Sequence, residues 1–466
     1  MKLRQPMVEF ALLWRKGRIL LLPCLVLLLC LPPFLSALND ARGISGQFEE
    51  ITQRERDRWL NQNPKNPHSA DHFGTWVFRP ISPLAPLDQG VSPYFGRMVR
   101  IEAHVFNDAV FQAAQDGNPL MRAGFSSVSD VVQLLLPLAM LILGFAAFAS
   151  DKERGTIRLA LGNGASPRKW VGARLSALAA TSAISTAVPL AILGMISIGS
   201  GSAAGWEAGA RLALWLLVYV IYAHVFLLLG MAIALLARSL RTALAAVLLV
   251  WFLACLAAPR IAVVLVSDIA PTPSYQATRA AIEEETRAFN AAEISARRER
   301  DMLAEHGVER AEDLPFDLRG AMLHARDEHD YGVFDRHFGD FYAALERQEK
   351  VFGLAGVLSP RTAAEAVSEA LTGNDFASHV DFIWAAEHYR RLLSDKMNAV
   401  LMAQPQATGK TITAGREVWE QVPPFEYRPL SLRQSLARAW APLAFLFAWL
   451  AASGALVFVL ASRMKP

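Results

Sequence analysis

Apolar residues gather into six long runs, at roughly 19–38, 131–149, 175–198, 210–236, 242–264 and 440–461. Each is close to the roughly 20 residues that carry a helix across the hydrocarbon core of a bilayer. Two polar stretches between them, about 39–130 and 265–437, are far longer than a connector needs. The pattern predicts a mainly α integral membrane protein of six transmembrane helices with two large external domains. Its expected organisation starts with an N-terminal interfacial helix and first span over 1–38 and a first external domain over 39–130. Spans two to five follow over 131–264, with a cytoplasmic segment at 150–170. A second external domain fills 265–437, and the last span and tail fill 438–466.

Within the first connector, Trp76-Val77-Phe78 and Val99-Arg100-Ile101 read as short strands around a Pro- and Gly-rich run from Pro80 to Gly96, so this domain is expected to be mixed α/β. The second reads as mostly helical. Residues 276–305 are rich in Ala, Glu and Arg and stop at Gly307. Phe334, Phe338, Phe341, Tyr342 and Leu345 recur at helical spacing, as do Ile383, Ala386, Arg390, Leu393, Met397 and Val400. In the third span Ala179, Ala183 and Ala187 repeat every four residues beside Ser182 and Thr186, a spacing that lets helix backbones approach closely in lipid.

Charge sets the expected orientation. Lys2, Arg4, Arg15, Lys16 and Arg18 precede the first span, and Lys152, Arg154, Arg158, Arg168, Lys169 and Arg174 lie around the loop after the second. Arg238 and Arg241 flank the turn between spans four and five, and Arg463 and Lys465 close the chain. The short loop 199–209 has no Lys or Arg. Basic short loops stay inside, so both termini are expected in the cytoplasm and both large connectors on the opposite, external side. The net charge of +3 needs no nucleic acid to explain it. A signal peptide is the rival reading of 19–31, with Leu35-Ser36-Ala37 as its cleavage site. An uncleaved span fits better. The amphipathic stretch before it (Phe10, Leu12, Leu13 and Trp14 among Arg15, Lys16 and Arg18) suits an interfacial helix, and five spans would break the charge alternation.

Candidate chemistry is sparse. Cys24, Cys30 and Cys255 all fall in or beside spans and read as packing thiols, leaving the external domains without disulfides. His224, inside the fourth span near Tyr219 and Tyr222, is a possible intramembrane polar site or a neutral, internally bonded histidine. His324, Asp327, Glu328, His329, Asp335, His337 and Asp340 crowd one helical stretch. His324 and Glu328 share a face and are weak metal candidates, but no His-Glu-x-x-His spacing is present and a solvated charged face accounts for the run.

The loop after span two is the sharpest motif. Ser150-Asp151-Lys152-Glu153-Arg154-Gly155-Thr156-Ile157-Arg158-Leu159 is followed by Ser166-Pro167-Arg168-Lys169-Trp170. Gly155 is expected to end the preceding helix and Ser166-Pro167 to start the next. This stretch resembles the cytoplasmic coupling segment of ABC-2-type transporter permeases. Pro67-His68-Ser69-Ala70, His72-Phe73-Gly74, Val77-Phe78-Arg79-Pro80, Leu87-Asp88 and Ile101-Glu102-Ala103-His104 narrow the resemblance to DUF3526-type permeases. Leu358-Ser359-Pro360, Thr372-Gly373-Asn374-Asp375, His379-Val380-Asp381-Phe382 and Pro423-Pro424-Phe425-x-Tyr427 are similar too. That family is labelled as related to multi-copper enzyme maturation.

The resemblance implies a permease subunit, in a bacterial inner membrane with both large connectors periplasmic, of an ATP-driven transporter that exports or extracts a substrate, paired with itself or a similar permease. It also implies two copies of a separate ATP-binding subunit. Glu153, Arg154, Gly155, Thr156 and Arg158 would make that coupling contact. The chain itself is not expected to be an enzyme or to bind a cofactor; ATP and Mg would sit in the partner. The only Gly-Lys-Thr, Gly409-Lys410-Thr411, has Gln404 where a P-loop needs its first glycine, and Gly162-Asn163-Gly164 lacks the following Lys-Ser/Thr. Two alternatives remain: a non-transporting machine that passes ATP-driven motion to an external partner protein, or a stand-alone sensor or membrane enzyme.

Overall fold

The computed structural model describes residues 18–110, 112, 127–153, 155–201, 205–403 and 412–464. The expected interfacial helix and the Gly409-Lys410-Thr411 segment lie outside them. Among the described residues, six helices are long and apolar enough to cross a membrane. They are carried by α1 (Arg18–Leu60), α3 (Val128–Glu153), α5 (Pro167–Ser200), α6 (Trp206–Leu236), the pair α7 (Leu240–Phe252) and α8 (Ala258–Ile269), and α15 (Trp440–Ser462). The chain is a mainly α, multi-pass membrane protein, with one small sheet among the described residues.

Helix α1 runs for 43 residues, well past the apolar run that marked the first span. At about 1.5 Å per residue it is roughly twice as long as a hydrocarbon core is thick. Its second half therefore stands clear of the bilayer and ends in Trp59, which is 5% exposed and donates to the Trp419 carbonyl at 2.9 Å.

The fourth span is the hub of the bundle. Trp215, Tyr219, Tyr222 and Phe226 lie along α6 with no exposed surface. Helix α3 meets it through two glycines. A Cβ on Gly144 would stand 2.2 Å from the Leu227 carbonyl oxygen, and one on Gly230 would stand 2.3 Å from that of Leu141. Only hydrogen fits at these positions, which is how small residues draw helices together in lipid. In α5 the buried face differs from the expected alanine stripe. Thr181, Ser182, Ser185 and Thr186 are buried, while Ala179, Ala183 and Ala187 lie half-buried beside them. Thr181 turns its hydroxyl back to Ala177 O at 2.9 Å and Ser182 donates to Met140 Sδ at 3.2 Å.

The fifth span is broken by a π-turn segment, Leu253–Ala257, just ahead of Pro259. Proline has no N–H, so it leaves carbonyls one turn behind it without a helical donor. Those of Ala254 and Cys255 are taken by Ser359, at 2.6 Å, and by the Arg361 guanidinium. Both donors come from the start of α12 (Pro360–Thr372), which hydropathy does not mark as a membrane element. The chain descends along α11 (Leu318–Leu354), turns at 355–359, and climbs back as α12, packed against α6 and α15. The Trp449 indole, well inside the last span, donates to Gly356 O at 3.0 Å, so the turn lies inside the bundle.

The two long connectors pack on each other beyond the bundle. Strands β1 (Thr75–Phe78) and β2 (Met98–Ile101) pair antiparallel, Thr75 opposite Ile101, as the first connector's pattern predicts. Their buried Val77, Val99 and Ile101 join one apolar cluster with Val333, Phe334 and Phe338 of α11 and Phe382, Ile383 and Met397 of α13 (Phe376–Met402). Helix α9 (Tyr275–Phe289) adds Ile282 to that cluster, α10 (Ala292–Glu305) has no buried residue, and α14 (Leu432–Arg438) leads into the last span.

Candidate functional site

Three places bear on function. The first is the turn between spans two and three. Helix α3 ends at Glu153, Gly155 adopts φ 69° and ψ 6°, and a short helix α4 (Thr156–Gly162) follows before Pro167 opens α5. No atom stands within 4 Å of a Cβ built on Gly155, so it is the left-handed backbone, and not crowding, that favours glycine there. Thr156 is exposed. Arg154 lies outside the described residues, as do the side chains of Glu153 and Arg158.

The second is the joint between α12, the bundle and the connectors. Ser368 on α12 accepts from the Trp215 indole N–H at 2.8 Å and from the Tyr219 hydroxyl at 3.1 Å, and it donates to the Asp88 carboxylate. One donor and two lone pairs is all a serine hydroxyl has, so Ser368 is saturated. The Gln133 amide donates to Tyr219 Oη at 3.0 Å, and the Gly90 N–H donates to Asp88 at 2.9 Å. Burial pushes the Asp88 carboxyl up to about 7 against the bonds from Ser368 and Gly90. Asn374, just past the end of α12, donates to Asp88 O at 2.7 Å and accepts from Ser92 at 2.9 Å. Arg211 of α6 reaches the last carbonyls of α12, Ala370 at 3.3 Å and Leu371 at 3.1 Å, where a cation suits the helix dipole.

His224 sits half-buried on α6, its Nδ1 2.6 Å from Val220 O one turn back. The charged run on α11 disperses to separate partners. His324 and Glu328 form an exposed pair 3.5 Å apart. His329 stacks on Phe289, His337 meets Glu285 at 2.9 Å, and Asp335 meets Arg391 at 2.7 Å. Asp327 alone turns inward.

Asp327 leads to the third place. Its Oδ1 lies 2.7 Å from His104 Nδ1, and its Oδ2 accepts from Asn398 at 2.7 Å. His104 faces His68 and His72, with ring centroids 5.1 and 5.2 Å away. The Nε2 atoms of His68 and His72 are 3.2 Å apart. Among the described residues these three form the one set of three or more metal-ligating side chains whose ligand atoms converge, all within 4.8 Å of one another. Burial, with the neighbouring His104 and His72, pushes His68 down to about 4, and burial lowers His72 as well. Burial alone would raise Asp327, but its bond and charge interaction with His104 and the bond from Asn398 hold it below the ordinary carboxylate range.

Sequence reasoning passed over this group. The available signal was His68 and His72 four apart behind an Asn66-Pro67 helix start, a spacing that puts both rings on one face. Their third member lies beyond two strands and a turn.

Residues 276–428 match the family described as a domain of unknown function (DUF3526). The matched stretch contains α12, Asp327 and Asn398. Neither a curated protein nor a solved structure matched the chain.

Proposed function

We propose that this chain is the membrane-spanning subunit of an ATP-driven, ABC-2-type transporter, energised by a separate ATP-binding subunit. The observation that carries this reading is the interruption between spans two and three. A tight hairpin would join these spans with a few residues, whereas the chain uses a left-handed glycine and a separate helix, Thr156–Gly162, to make an elbow there. Such an elbow suits a partner that pushes on it. Glu153, Arg154, Gly155, Thr156 and Arg158 are its contact residues, with both termini on the same, cytoplasmic face. Two permease chains would work over two ATP-binding subunits, each of which holds ATP and Mg.

The re-entrant helix gives that motion a route. Helix α12 touches spans four and six along its length, its first turn holds the break in span five, and its last turn is bonded to Asp88 and Arg211. A shift of span four would be transmitted to the connectors through Ser368. This favours, as a second reading, a machine that hands motion to an external partner. For transport, an apolar cavity of about 340 Å³ beside the end of span five, lined by Val91, Phe95, Val263, Val266, Phe352 and Phe376, suits an amphipathic cargo.

The test is purification from the native host in mild detergent, with mass spectrometry of co-eluting proteins and an ATPase assay. A P-loop subunit that co-elutes with wild type and is lost on Glu153→Lys is the expected result. A chain that elutes alone, without ATPase activity, sinks the proposal.

A further inference from the structure

We propose that His68, His72 and His104 form a binding site for a late first-row transition-metal ion of the zinc or copper(II) type, with three imidazole ligands and an open fourth position. The inference goes beyond the transporter reading and does not depend on it.

Distance is the first argument. Two nitrogens on a tetrahedral ion with bonds of about 2.0–2.1 Å lie about 3.3 Å apart. The Nε2 atoms of His68 and His72 already stand at 3.2 Å. Without an ion, one of the two must carry a proton toward the other; a cation replaces that proton and both lone pairs bind it. Imidazole sets of this kind suit zinc and copper, and not the hard oxygen-seeking cations.

The third ligand is prepared. Asp327 takes His104 Nδ1, which leaves Nε2 as the ring's remaining nitrogen. That Nε2 is buried and has no hydrogen-bond partner. Buried ring nitrogens rarely go unpaired unless something else is to fill the place. A carboxylate on the far nitrogen is the usual support of a metal-bound histidine, since it fixes the tautomer and ring angle. Here the carboxylate is itself held by Asn398, and Asp327 has no exposed surface.

The backbone adds an independent sign. His104 has φ 61°, the one positive φ at a non-glycine among the described residues. A side chain in that region is uncommon and persists where the surroundings demand it. Here it turns the ring from the end of β2 into the space between His68, His72 and Asp327. His72 is exposed, so the open position faces solvent and an ion can enter.

The site joins parts of the chain far apart in sequence. Two ligands come from α2 (Pro67–Asp71) and its cap, one from the turn after β2, and the supports from α11 and α13. An ion there would brace the first connector and, through the His104–Asp327 bond, its contact with the second, and would raise the stability of the folded chain by mass action.

The test uses the full chain in detergent without a polyhistidine tag, with Zn(II), Cu(II) and Co(II) added singly. Wild type is expected to retain one equivalent after dialysis, to unfold at a higher temperature with metal, and to give the intense visible bands of tetrahedral Co(II). His72→Ala, at an exposed cap, should fold normally and bind at least tenfold more weakly. Asp327→Asn should weaken binding by about 10–100-fold, as loss of a supporting carboxylate does. His324→Ala should bind as wild type. Absence of stoichiometric binding in wild type, or wild-type affinity in His72→Ala, overturns the proposal.

Discussion

The joint at Ser368 and the histidine group at His104 are both polar clusters built from residues far apart in the chain, but they are finished differently. At Ser368 the hydroxyl's one donor and two lone pairs are all used, and the groups around it meet at 2.8–3.1 Å. At His104 one ring nitrogen is firmly bonded while the other is buried and left over. A closed set of bonds holds structure, since every buried dipole is repaid within the protein. An open set of nitrogens converging on one point is completed only from outside.

The sharpest way to break that distinction is Ser368→Ala. It strands the Trp215 N–H and the Tyr219 O–H, which lose their acceptor, and takes one donor from the Asp88 carboxylate, which keeps the Gly90 N–H; each of the three residues is 3% exposed or less. At about 1–3 kcal/mol for each stranded group, softened by relaxation, the loss should be about 3 kcal/mol or more. Chemical unfolding of the detergent-solubilised protein would measure it. An unchanged midpoint would mean that the network does not hold α12 in place.

A smaller effect is expected at the other end of the same helix. Arg361→Met keeps the aliphatic stem but leaves the Cys255 carbonyl, already orphaned by Pro259, without its donor. About 2 kcal/mol should be lost, with exchange of the amides around Leu253–Ala257 accelerated ahead of the rest of the span.

Smaller still is a pH effect beside the joint. His379 is 4% exposed and packs against Phe95 and Phe376. Burial, with Arg79 nearby, pushes it down to about 3 from 6.5. The unfolded chain therefore binds a proton that the folded chain refuses. Its contribution is fully present above pH about 6.5 and is lost as pH falls toward 3. Between pH 7.5 and 5.5 this amounts to about 1 kcal/mol, and His379→Gln should flatten that slope in paired unfolding curves.

Much of the architecture is legible along the chain. Six apolar runs of membrane length became six helices, because in lipid an isolated run can satisfy its backbone only as a helix. Trp76-Val77-Phe78 and Val99-Arg100-Ile101 became strands, and the aromatic stripe at 334–345 and the mainly aliphatic one at 383–400 became parts of α11 and α13 that line a shared core. The length of α1 was not legible, since its polar half carries no stop signal strong enough to end it and its end is fixed by Trp59 docking on Trp419. Helix α12 escaped notice for a different reason. It is short and carries Glu365 and Glu369, and nothing in its hydropathy announces that Pro259, a hundred residues earlier, has left carbonyls for it to bond.

What the sequence determined by itself was local: where helices cross, where glycine and proline interrupt them, and which faces are apolar. These follow from backbone hydrogen bonding and side-chain periodicity over a few turns. The tertiary structure alone decided which histidines meet. His324 and Glu328, neighbours on one helix, remain a surface pair, whereas His68, His72 and His104 converge with Asp327 from three separate elements. Convergence of that kind depends on long-range packing and on one strained turn, and no spacing along the chain encodes it.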